Sequence, residues 1–381
     1  MTFPHVRVEG GPRERGRSYG EQARDRVHRS IEAYREVFAA YAGWDWDAVT
    51  EQARAYEGPV ERFGPRYLEE IRGIAEGAGL DDADVLAINV RTEVMFAAKA
   101  RQAASDTRRI GECSAFAVLP ERSADGHTLI GQNWDWLLHA SDTCVVLEAR
   151  QDTGPDFVTV VEAGLLAKTG MNSSGIGLAT NALVSDTDAG VPGVPYHVAL
   201  RGILDAESIS DAYAVLQRGF RSSSANYLVA HTDGIAVNVE GAPGDFDRLF
   251  LSFPTDGVVL HTNHFRSPRF TGSDVGLWVM PDSPFRLERL SSRIGGEPAL
   301  SLDTLRAALA DHVNYPSGVC CHPDVRSPLL DQGATVASIL MDLDAKTMWV
   351  ADGHPCTSPY RELAYADFLG KPSSFAAGRP A

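Results

Sequence analysis

The stretch GECSAFAVL, residues 111–119, places Cys113 directly before small and apolar residues that alternate as in a half-buried strand. A second strand-like stretch, GQNWDW at residues 131–136, contains Asp135 and follows the turn signal Asp125-Gly126. The fold is predicted from this pair of features, a cysteine that opens one strand and an Asn-x-Asp that ends the next. Taken alone, Cys113 could be either a catalytic residue or a buried residue that acts as a small hydrophobe.

The composition is that of an ordinary soluble globular protein. The chain has 381 residues, of which 44% are hydrophobic and 23% charged, and this length allows two or three domains. Its net charge of −16 argues against nucleic acid and anionic membrane surfaces as partners. No apolar run approaches the roughly 20 residues of a membrane span, and residues 1–6 lack the apolar region of a secretory signal. Five cysteines, an odd number, fit free thiols, so a cytoplasmic location is predicted.

Residues 10–100 have helical periodicity. Segments at about 19–41, 46–63 and 66–78 carry apolar residues at helical spacing, and Asp81-Asp82 caps a fourth. The polar stretch 99–110 is interpreted as an exposed linker, the kind of segment in which processing usually occurs. The tail from residue 370, rich in proline, serine and glycine, is predicted to be loose.

After residue 113 the apolar period changes from helical to alternating. Turn signals separate five predicted strand pairs: 114–120 and 127–134, 143–150 and 157–163, 226–231 and 235–240, 249–253 and 258–262, 336–343 and 347–351. Helices are predicted at 196–206, 209–218, 285–294 and 302–312. Blocks of hairpins that alternate with helices predict an α+β fold with antiparallel sheets and helices on their outer faces.

Several longer motifs give the chain a family resemblance. They are GRSYG (16–20), IRGIAEG (71–77), ECS (112–114), QNWD (132–135), KTGMNSSGIG (168–177), SANY (224–227), HTNH (261–264) and the hairpin 336–355. With these motifs the chain resembles the acyl-coenzyme A:isopenicillin N acyltransferase family and, more distantly, bile salt hydrolases and penicillin V acylases. These are cysteine N-terminal nucleophile hydrolases. The resemblance implies a four-layer αββα sandwich, made as a precursor in which a helical segment, 1–112, associates with the catalytic segment, 113–381.

The resemblance also implies self-cleavage between Glu112 and Cys113. In that chemistry the freed α-amine of Cys113 is the base for its own thiol, so no separate catalytic histidine is needed. Asp135 is implied to lie within reach of the amine, where a carboxylate orients an ammonium and tunes its pKa. Asn263 is implied as an oxyanion donor, and Asn181 as a second one.

The other candidate residues are substrate-binding ones, namely Ser114, Trp134 and Trp136. For the two tryptophans, core packing is the alternative interpretation. Asp135 and Asn263 also have a structural alternative, since either residue type commonly caps a turn.

Two positions depart from the patterns of these families. Gln132 stands where bile salt hydrolases have an arginine. Cys321 stands where this family often has an arginine that helps hold the site. The contribution of neither arginine is therefore carried over to this chain.

No metal and no cofactor are predicted. His261 and His264 are three residues apart on a predicted strand and would point to opposite faces. The adjacent Cys320 and Cys321, which precede His322, would rarely both reach one ion.

The predicted activity is that of an autoproteolytically activated amidohydrolase or acyltransferase. It would act on N-acyl amides or acyl thioesters through an acyl-Cys113 intermediate, and hydrolysis is favoured because it needs one organic ligand rather than two. Three alternatives stay open: an acyltransferase that moves an acyl group to an amine in secondary metabolism, a relative that binds a ligand without turnover, and a metal-binding module. The predicted partner is a small molecule, with no nucleic acid and no membrane.

Overall fold

The computed structural model describes residues 2–95 and 113–370. Cys113 therefore begins the second described range. Glu112, the proposed linker 99–110 and the tail beyond residue 370 lie outside the described residues, and so does the bond that is predicted to be cleaved.

The described residues alternate between helices and strands in blocks. The helices are α1 (Pro12–Gln22), α2 (Arg24–Ala42), α3 (Trp46–Arg54), α4 (Glu57–Phe63), α5 (Pro65–Ala78), α6 (Asp82–Asn89), α7 (Tyr196–Leu204), α8 (Ile209–Gln217), α9 (Gly276–Val279), α10 (Ser283–Gly295) and α11 (Leu302–Leu309). The strands are β1 (His5–Gly10), β2 (Cys113–Val118), β3 (Leu129–Leu137), β4 (Cys144–Gln151), β5 (Phe157–Glu162), β6 (Thr169–Asn172), β7 (Ile176–Ala182), β8 (Ala225–His231), β9 (Ile235–Gly241), β10 (Leu249–Ser252), β11 (Val258–His261), β12 (Gly333–Asp342), β13 (Thr347–Ala351) and β14 (Arg361–Ala364). None of the described helices combines the length and the apolar character that crossing a membrane requires.

These strands form two sheets. The first has eight strands in the order β1-β4-β5-β6-β7-β8-β9-β10, and the second has six in the order β11-β2-β3-β12-β13-β14. Every residue of β2 and β3 is buried, including polar ones such as Gln132 and Asn133. The alternation of polar and apolar residues in β2 and β3 therefore distinguishes two buried faces of the sheet, and not a solvent-exposed face from a buried one.

The two sheets pack face to face between outer helices. β2 and β3 contact β7 across the interface between the sheets. α7 and α8 pack on the eight-stranded sheet, where they contact β6 to β9. α10 and α11 cover the six-stranded sheet through a separate apolar cluster that includes Phe116, Leu290 and Leu305. The predicted αββα sandwich is confirmed.

The sequence prediction of a hairpin at 249–262 is wrong, because β10 and β11 belong to different sheets. β10 pairs with β9, whereas β11 pairs with β2 and sets His261 opposite Ala115. The chain therefore delivers the segment after His261 to the end of β2 at which Cys113 lies. A turn signal such as Asp256-Gly257 reports a local reversal and carries no information about which sheet the next strand joins.

The N-terminal segment is more than the helical unit that the sequence suggests. It contributes β1, which pairs in parallel with β4, so Val6 lies opposite Leu147 at the edge of the eight-stranded sheet. Its helices also supply Tyr34, whose hydroxyl donates a hydrogen bond to Glu162 on β5 (2.9 Å) and accepts one from Trp136 on β3 (2.8 Å). This segment is thus built into the sandwich.

Two helices of this segment, α1 and α5, cross with their backbones in direct contact. A Cβ atom added to Gly16 or Gly20 of α1 would lie 2.2 Å from a backbone oxygen of α5. One added to Gly73 or Gly77 of α5 would lie 2.3 or 2.0 Å from a backbone oxygen of α1. Each helix therefore needs two glycines, four positions apart, where the partner backbone approaches.

Gly77→Ala is expected to lower the free energy of unfolding by about 1–3 kcal/mol or more, the range for overpacked interiors. The new methyl group would meet backbone atoms of Arg17 and Glu21, which cannot rotate away as a side chain can. Denaturant-induced unfolding measures the change. Gly295→Ala is the matched control, because a Cβ atom there meets nothing within 4 Å at the end of α10. Equal unfolding midpoints for the two variants would contradict this account of the crossing.

Candidate active site

Cys113 is the first residue of β2 and lies in the interior of the protein, with 2% of its surface exposed. β2 runs between β11 and β3, and the register sets Cys113 opposite Trp134. The backbone N–H of Cys113 donates a hydrogen bond to Oδ1 of Asn263 (2.6 Å). Its Sγ lies 3.9 Å from the backbone oxygen of Asp135. Three of the sequence-predicted site residues are thus brought together at one end of the six-stranded sheet.

Asp135 holds a carboxyl group in a fully buried position on β3. Its Oδ1 accepts a hydrogen bond from the hydroxyl of Thr335 (2.6 Å), which lies opposite it on β12. Burial raises the pKa of Asp135 to about 7, although Arg286 and Thr335 act in the opposite direction. Among the residues that the structure describes, none donates a hydrogen bond to its buried Oδ2. This carboxyl group is therefore poised between its two protonation states and keeps one acceptor for a further donor.

Asn263 lies just after β11, and its side-chain amide is oriented by three contacts. Oδ1 accepts from the N–H of Cys113 and from the guanidinium of Arg286 (3.0 Å), while Nδ2 donates to the backbone oxygen of Ala182 (2.9 Å). A guanidinium has no acceptor atom, so the amide atom that faces Arg286 must be the oxygen. In this arrangement the oxygen of Asn263 faces the Cys113 nitrogen, and only the second hydrogen of Nδ2 remains for an oxyanion.

Arg286, on α10, connects these groups and was not anticipated from the sequence. Its guanidinium donates to the backbone oxygen of Cys113 (2.8 Å) and to Oγ of Ser114 (3.0 Å), in addition to Asn263. Asp282, one helical turn earlier, accepts from its Nε (2.7 Å). A buried cation is therefore fixed beside the backbone of the candidate nucleophile. The hydroxyl of Ser114, which is predicted to bind substrate, accepts a hydrogen bond from this arginine.

Lys168 is a second buried cation beside Cys113. It precedes β6, only 4% of its surface is exposed, and its ammonium lies over the rings of Trp134 (5.0 Å) and Tyr196 (5.4 Å). Burial lowers the pKa of Lys168 to about 8. Burial also raises the pKa of the Cys113 thiol, and the charge of Lys168 is the largest influence in the opposite direction. The site thus contains an ammonium that favours the thiolate form of the nucleophile.

Asn181, predicted as a second oxyanion donor, is buried on β7 and is engaged elsewhere. Its Oδ1 accepts from Nδ2 of Asn226 (3.1 Å), and its Nδ2 lies 3.5 Å from the backbone oxygen of His261. No hydrogen bond between Asn181 and Cys113 is found among the described residues. The neighbouring Ala182 is the residue of β7 that binds Asn263.

A narrow cavity of about 20 Å³ opens beside Cys113, enough for about one water molecule. Its lining includes Arg91, Met95, Trp136, Lys168 and Tyr196. Trp136, predicted to bind substrate, thus lines the cavity beside Cys113, and its ring also packs against Arg91 (4.9 Å). Trp134 is fully buried, outside this lining, and supports Lys168. An acyl group larger than a few atoms needs more room than this form of the cavity offers.

The two positions that depart from the family patterns both have structural partners. Oε1 of Gln132 accepts the backbone N–H of Thr180 (2.7 Å), so this side chain links the two sheets. The backbone N–H of Cys321 donates to Oγ1 of Thr335 (3.0 Å), the same hydroxyl that binds Asp135. The backbone of Cys321 is thus connected to the carboxyl group of Asp135 through the hydroxyl of Thr335.

Two sequence comparisons find similarity to the same group of acyltransferases. A sequence model of the family described as acyl-coenzyme A:6-aminopenicillanic acid acyl-transferase matches residues 122–356. The acyl-coenzyme A:6-aminopenicillanic-acid-acyltransferase 40 kDa form of Emericella nidulans is 28% identical over 357 residues, which cover 92% of this chain and 93% of that protein.

Solved structures of lower sequence identity are also similar to this chain. A mutant of the conjugated bile acid hydrolase from Clostridium perfringens is 12% identical, covers 68% of this chain and 95% of its own, and has a TM-score of 0.44. Penicillin V acylase from Agrobacterium tumefaciens is 13% identical, covers 68% of this chain and 88% of its own, and has a TM-score of 0.43.

Proposed function

Because the chain belongs to the acyl-coenzyme A:6-aminopenicillanic acid acyl-transferase family, we propose that it is an enzyme that cleaves itself before Cys113 and then transfers or hydrolyses acyl groups. Its substrates are N-acyl amides or acyl thioesters, and the reaction passes through an acyl-Cys113 thioester. The enzymes of similar sequence and structure support acyl transfer or amide hydrolysis as the class of reaction.

The observation that carries this proposal is the surroundings of the Cys113 nitrogen. A thiol and a backbone nitrogen of one residue lie at the start of a central strand, where the nitrogen donates to the Asn263 oxygen and the sulfur lies 3.9 Å from the backbone oxygen of Asp135. A peptide nitrogen needs only one acceptor, which Asn263 supplies. An α-ammonium has three donors, and in the proposed site one of the further two is assigned to Oδ2 of Asp135, which accepts from no described residue. This unused acceptor on the neighbouring strand supports an amine at this position.

The proposed self-cleavage requires no group from outside the chain except water. The thiol of Cys113 attacks the carbonyl carbon of residue 112, and the bond from that carbon to the Cys113 nitrogen breaks. The nitrogen takes the thiol proton and becomes an amine. Water then hydrolyses the thioester, which frees the thiol and leaves a carboxylate on residue 112. Lys168, with its lowered pKa, supports the thiolate before any amine exists.

In the proposed turnover the new α-amine accepts the thiol proton, and the thiolate attacks the acyl carbonyl of the substrate. The negative oxygen that forms is stabilised by hydrogen-bond donors, for which the second Nδ2 hydrogen of Asn263 is the side-chain candidate. The amine returns the proton to the leaving amine or thiol, and acyl-Cys113 remains. Water or an amine then takes the acyl group, which regenerates the free thiol.

The acceptor decides between a hydrolase and a transferase. Hydrolysis is the favoured outcome, because it requires one organic ligand in the site rather than two. An N-acyl amide or acyl thioester is expected to yield free acid at the same rate whether or not a panel of amines is present. Chromatography of the products measures the split. A new amide that grows with amine concentration at the expense of free acid would identify a transferase.

A further inference from the structure

Four side chains with metal-binding atoms converge on the outer side of the site, and nothing in the proposed reaction uses them. They are His312, Cys320, His322 and Cys356, which we call the Cys2His2 cluster; one ligand atom of each lies within 4.8 Å of the others. Three come from the segment between α11 and β12, and Cys356 follows β13. Cys320 is buried, His322 and Cys356 are half-buried and His312 is exposed. The cluster therefore lies at the surface, where an ion can enter.

The distances within the cluster are those of ligands around a shared ion. Nε2 of His322 lies 3.1 Å from Nε2 of His312 and 3.5 Å from Sγ of both Cys320 and Cys356. One imidazole nitrogen has a single lone pair or a single hydrogen, so it cannot form three such hydrogen bonds. Tetrahedral zinc, with bonds of about 2.0–2.1 Å to nitrogen and about 2.3 Å to sulfur, separates its ligands by about 3.3 Å and about 3.6 Å.

We propose that the Cys2His2 cluster binds one zinc ion through two thiolates and two imidazoles. Two thiolates exclude magnesium and calcium, which prefer oxygen ligands, and a tetrahedral set of sulfur and nitrogen is typical of zinc. Binding releases the two thiol protons to solvent and involves no redox change. Four protein ligands complete the tetrahedron, so the ion has a structural role and leaves no position for substrate.

The ion ties together two segments that border the candidate active site. Cys321, between two of the ligands, exchanges backbone contacts with Thr335, whose hydroxyl binds Asp135. At the start of the same segment, next to the ligand His312, Asp311 accepts hydrogen bonds from Arg289 and Arg293 of α10. Zinc would therefore fix the segment 311–322 against β12 at the point where the family often uses an arginine.

The sequence prediction of no metal rested on a different set of residues. His261 binds Glu240 (2.9 Å) and His264 binds Ser283 (2.8 Å), so neither histidine approaches the cluster. Cys321 is also not a member of it. His312 and Cys356 lie outside the motif Cys320-Cys321-His322, and the tertiary fold brings them next to Cys320 and His322. The four ligands of the cluster therefore differ from the set that the sequence analysis considered.

Elemental analysis of the full-length protein, purified without chelator, tests the proposal. We expect about one zinc per chain to survive gel filtration. Cys356→Ser and His312→Ala are each expected to lose most of it, whereas Cys144→Ala, which removes a buried thiol outside the cluster, keeps it. Zinc that persists in both ligand variants would overturn the assignment. So would wild-type protein that binds no zinc after reconstitution, or that holds copper or iron instead.

Two further measurements separate this site from its alternatives. Cobalt substitution is expected to give the visible absorption of a tetrahedral thiolate complex in wild-type protein, and chelation is expected to lower its melting temperature but not that of Cys356→Ser. A disulfide between Cys320 and Cys356, detected by mass spectrometry in protein purified under reducing conditions and without chelator, would overturn the proposal. The Cys113→Ala variant is expected to bind zinc normally, so this test stands apart from that of the catalytic function.

Discussion

Cys113→Ala is expected to yield one uncut chain of 381 residues, whereas the wild-type protein separates under denaturing conditions into fragments of 112 and 269 residues (381 − 112 = 269). The same variant should lose acyl transfer and hydrolysis, with a fall in kcat of about six orders of magnitude, as for removal of a nucleophile elsewhere. Both losses follow because one sulfur atom is proposed to attack residue 112 during maturation and the substrate during turnover. Intact-mass analysis, N-terminal sequencing and product assays measure the three outcomes.

Cys144→Ala provides the matched control for this prediction. Cys144 is a buried thiol at the start of β4, bonded to the backbone oxygen of Ala140 (3.1 Å), and takes no part in the proposed chemistry. It should mature and react normally. A wild-type protein that stays as one chain and is fully active would rule out the α-amine as the base. A Cys113→Ala variant that is still cut would show that maturation depends on another nucleophile or on a protease.

The parts of the site that could be predicted are those that lie on recognisable strands. Cys113 and Asp135 belong to neighbouring strands of one sheet, and Asn263 follows the strand that pairs with β2 on its other side. Motif and strand signals are local, so the sequence can locate such residues even where a hairpin such as 249–262 is misassigned. For Asn181 the same motif-based reasoning identified a buried polar residue, and its hydrogen bonds among the described residues are with Asn226 and His261.

Arg286 could not be predicted because it comes from a distant segment with no motif of its own, whereas Lys168 is the first residue of the motif at 168–177. Arg286 lies on an amphipathic helix, where an arginine is ordinarily a surface residue, yet its guanidinium is buried against Cys113 and Asn263. For Lys168 a signal existed, because it follows five uncharged residues in the stretch AGLLAK and precedes a buried strand. A single charged residue in such a stretch is a candidate for a buried functional group.

Lys168 and Arg286 both act against the effect of burial on the pKa values of the two acidic groups in the site. Removing the thiol of Cys113 and the carboxyl of Asp135 from water raises the pKa of both. Lys168 lowers the pKa of the thiol, and Arg286 lowers that of the carboxyl group. The buried cations thus counteract the effect of burial on the two acids. They restore part of the ionised population that a nucleophile and an ammonium partner need near neutral pH.

Asn263→Ala is expected to lower kcat by about 10²–10³, the effect of removing one oxyanion donor, while Cys113 still reacts with iodoacetamide in the folded protein. If Asn263 is an oxyanion donor, the loss of activity is due to the loss of Nδ2. However, Oδ1 also accepts hydrogen bonds from the Cys113 nitrogen and from Arg286. Asn263→Asp separates the two roles because it keeps an oxygen toward both donors and removes Nδ2. If the oxyanion role is correct, the aspartate variant is as slow as the alanine variant.

Near-normal turnover of Asn263→Asp, together with a slow Asn263→Ala, would instead mean that this residue acts by orienting the α-amine. Asn181→Ala provides the comparison within the same site. Since Asn181 is hydrogen-bonded to Asn226 and forms no hydrogen bond with Cys113 among the described residues, its loss should change kcat less than the loss of Asn263. A larger loss for Asn181→Ala would move the oxyanion donor to β7, and with it the place where the substrate carbonyl must bind. Steady-state kinetics of the three variants on one substrate, each checked first for complete cleavage, decide between these arrangements.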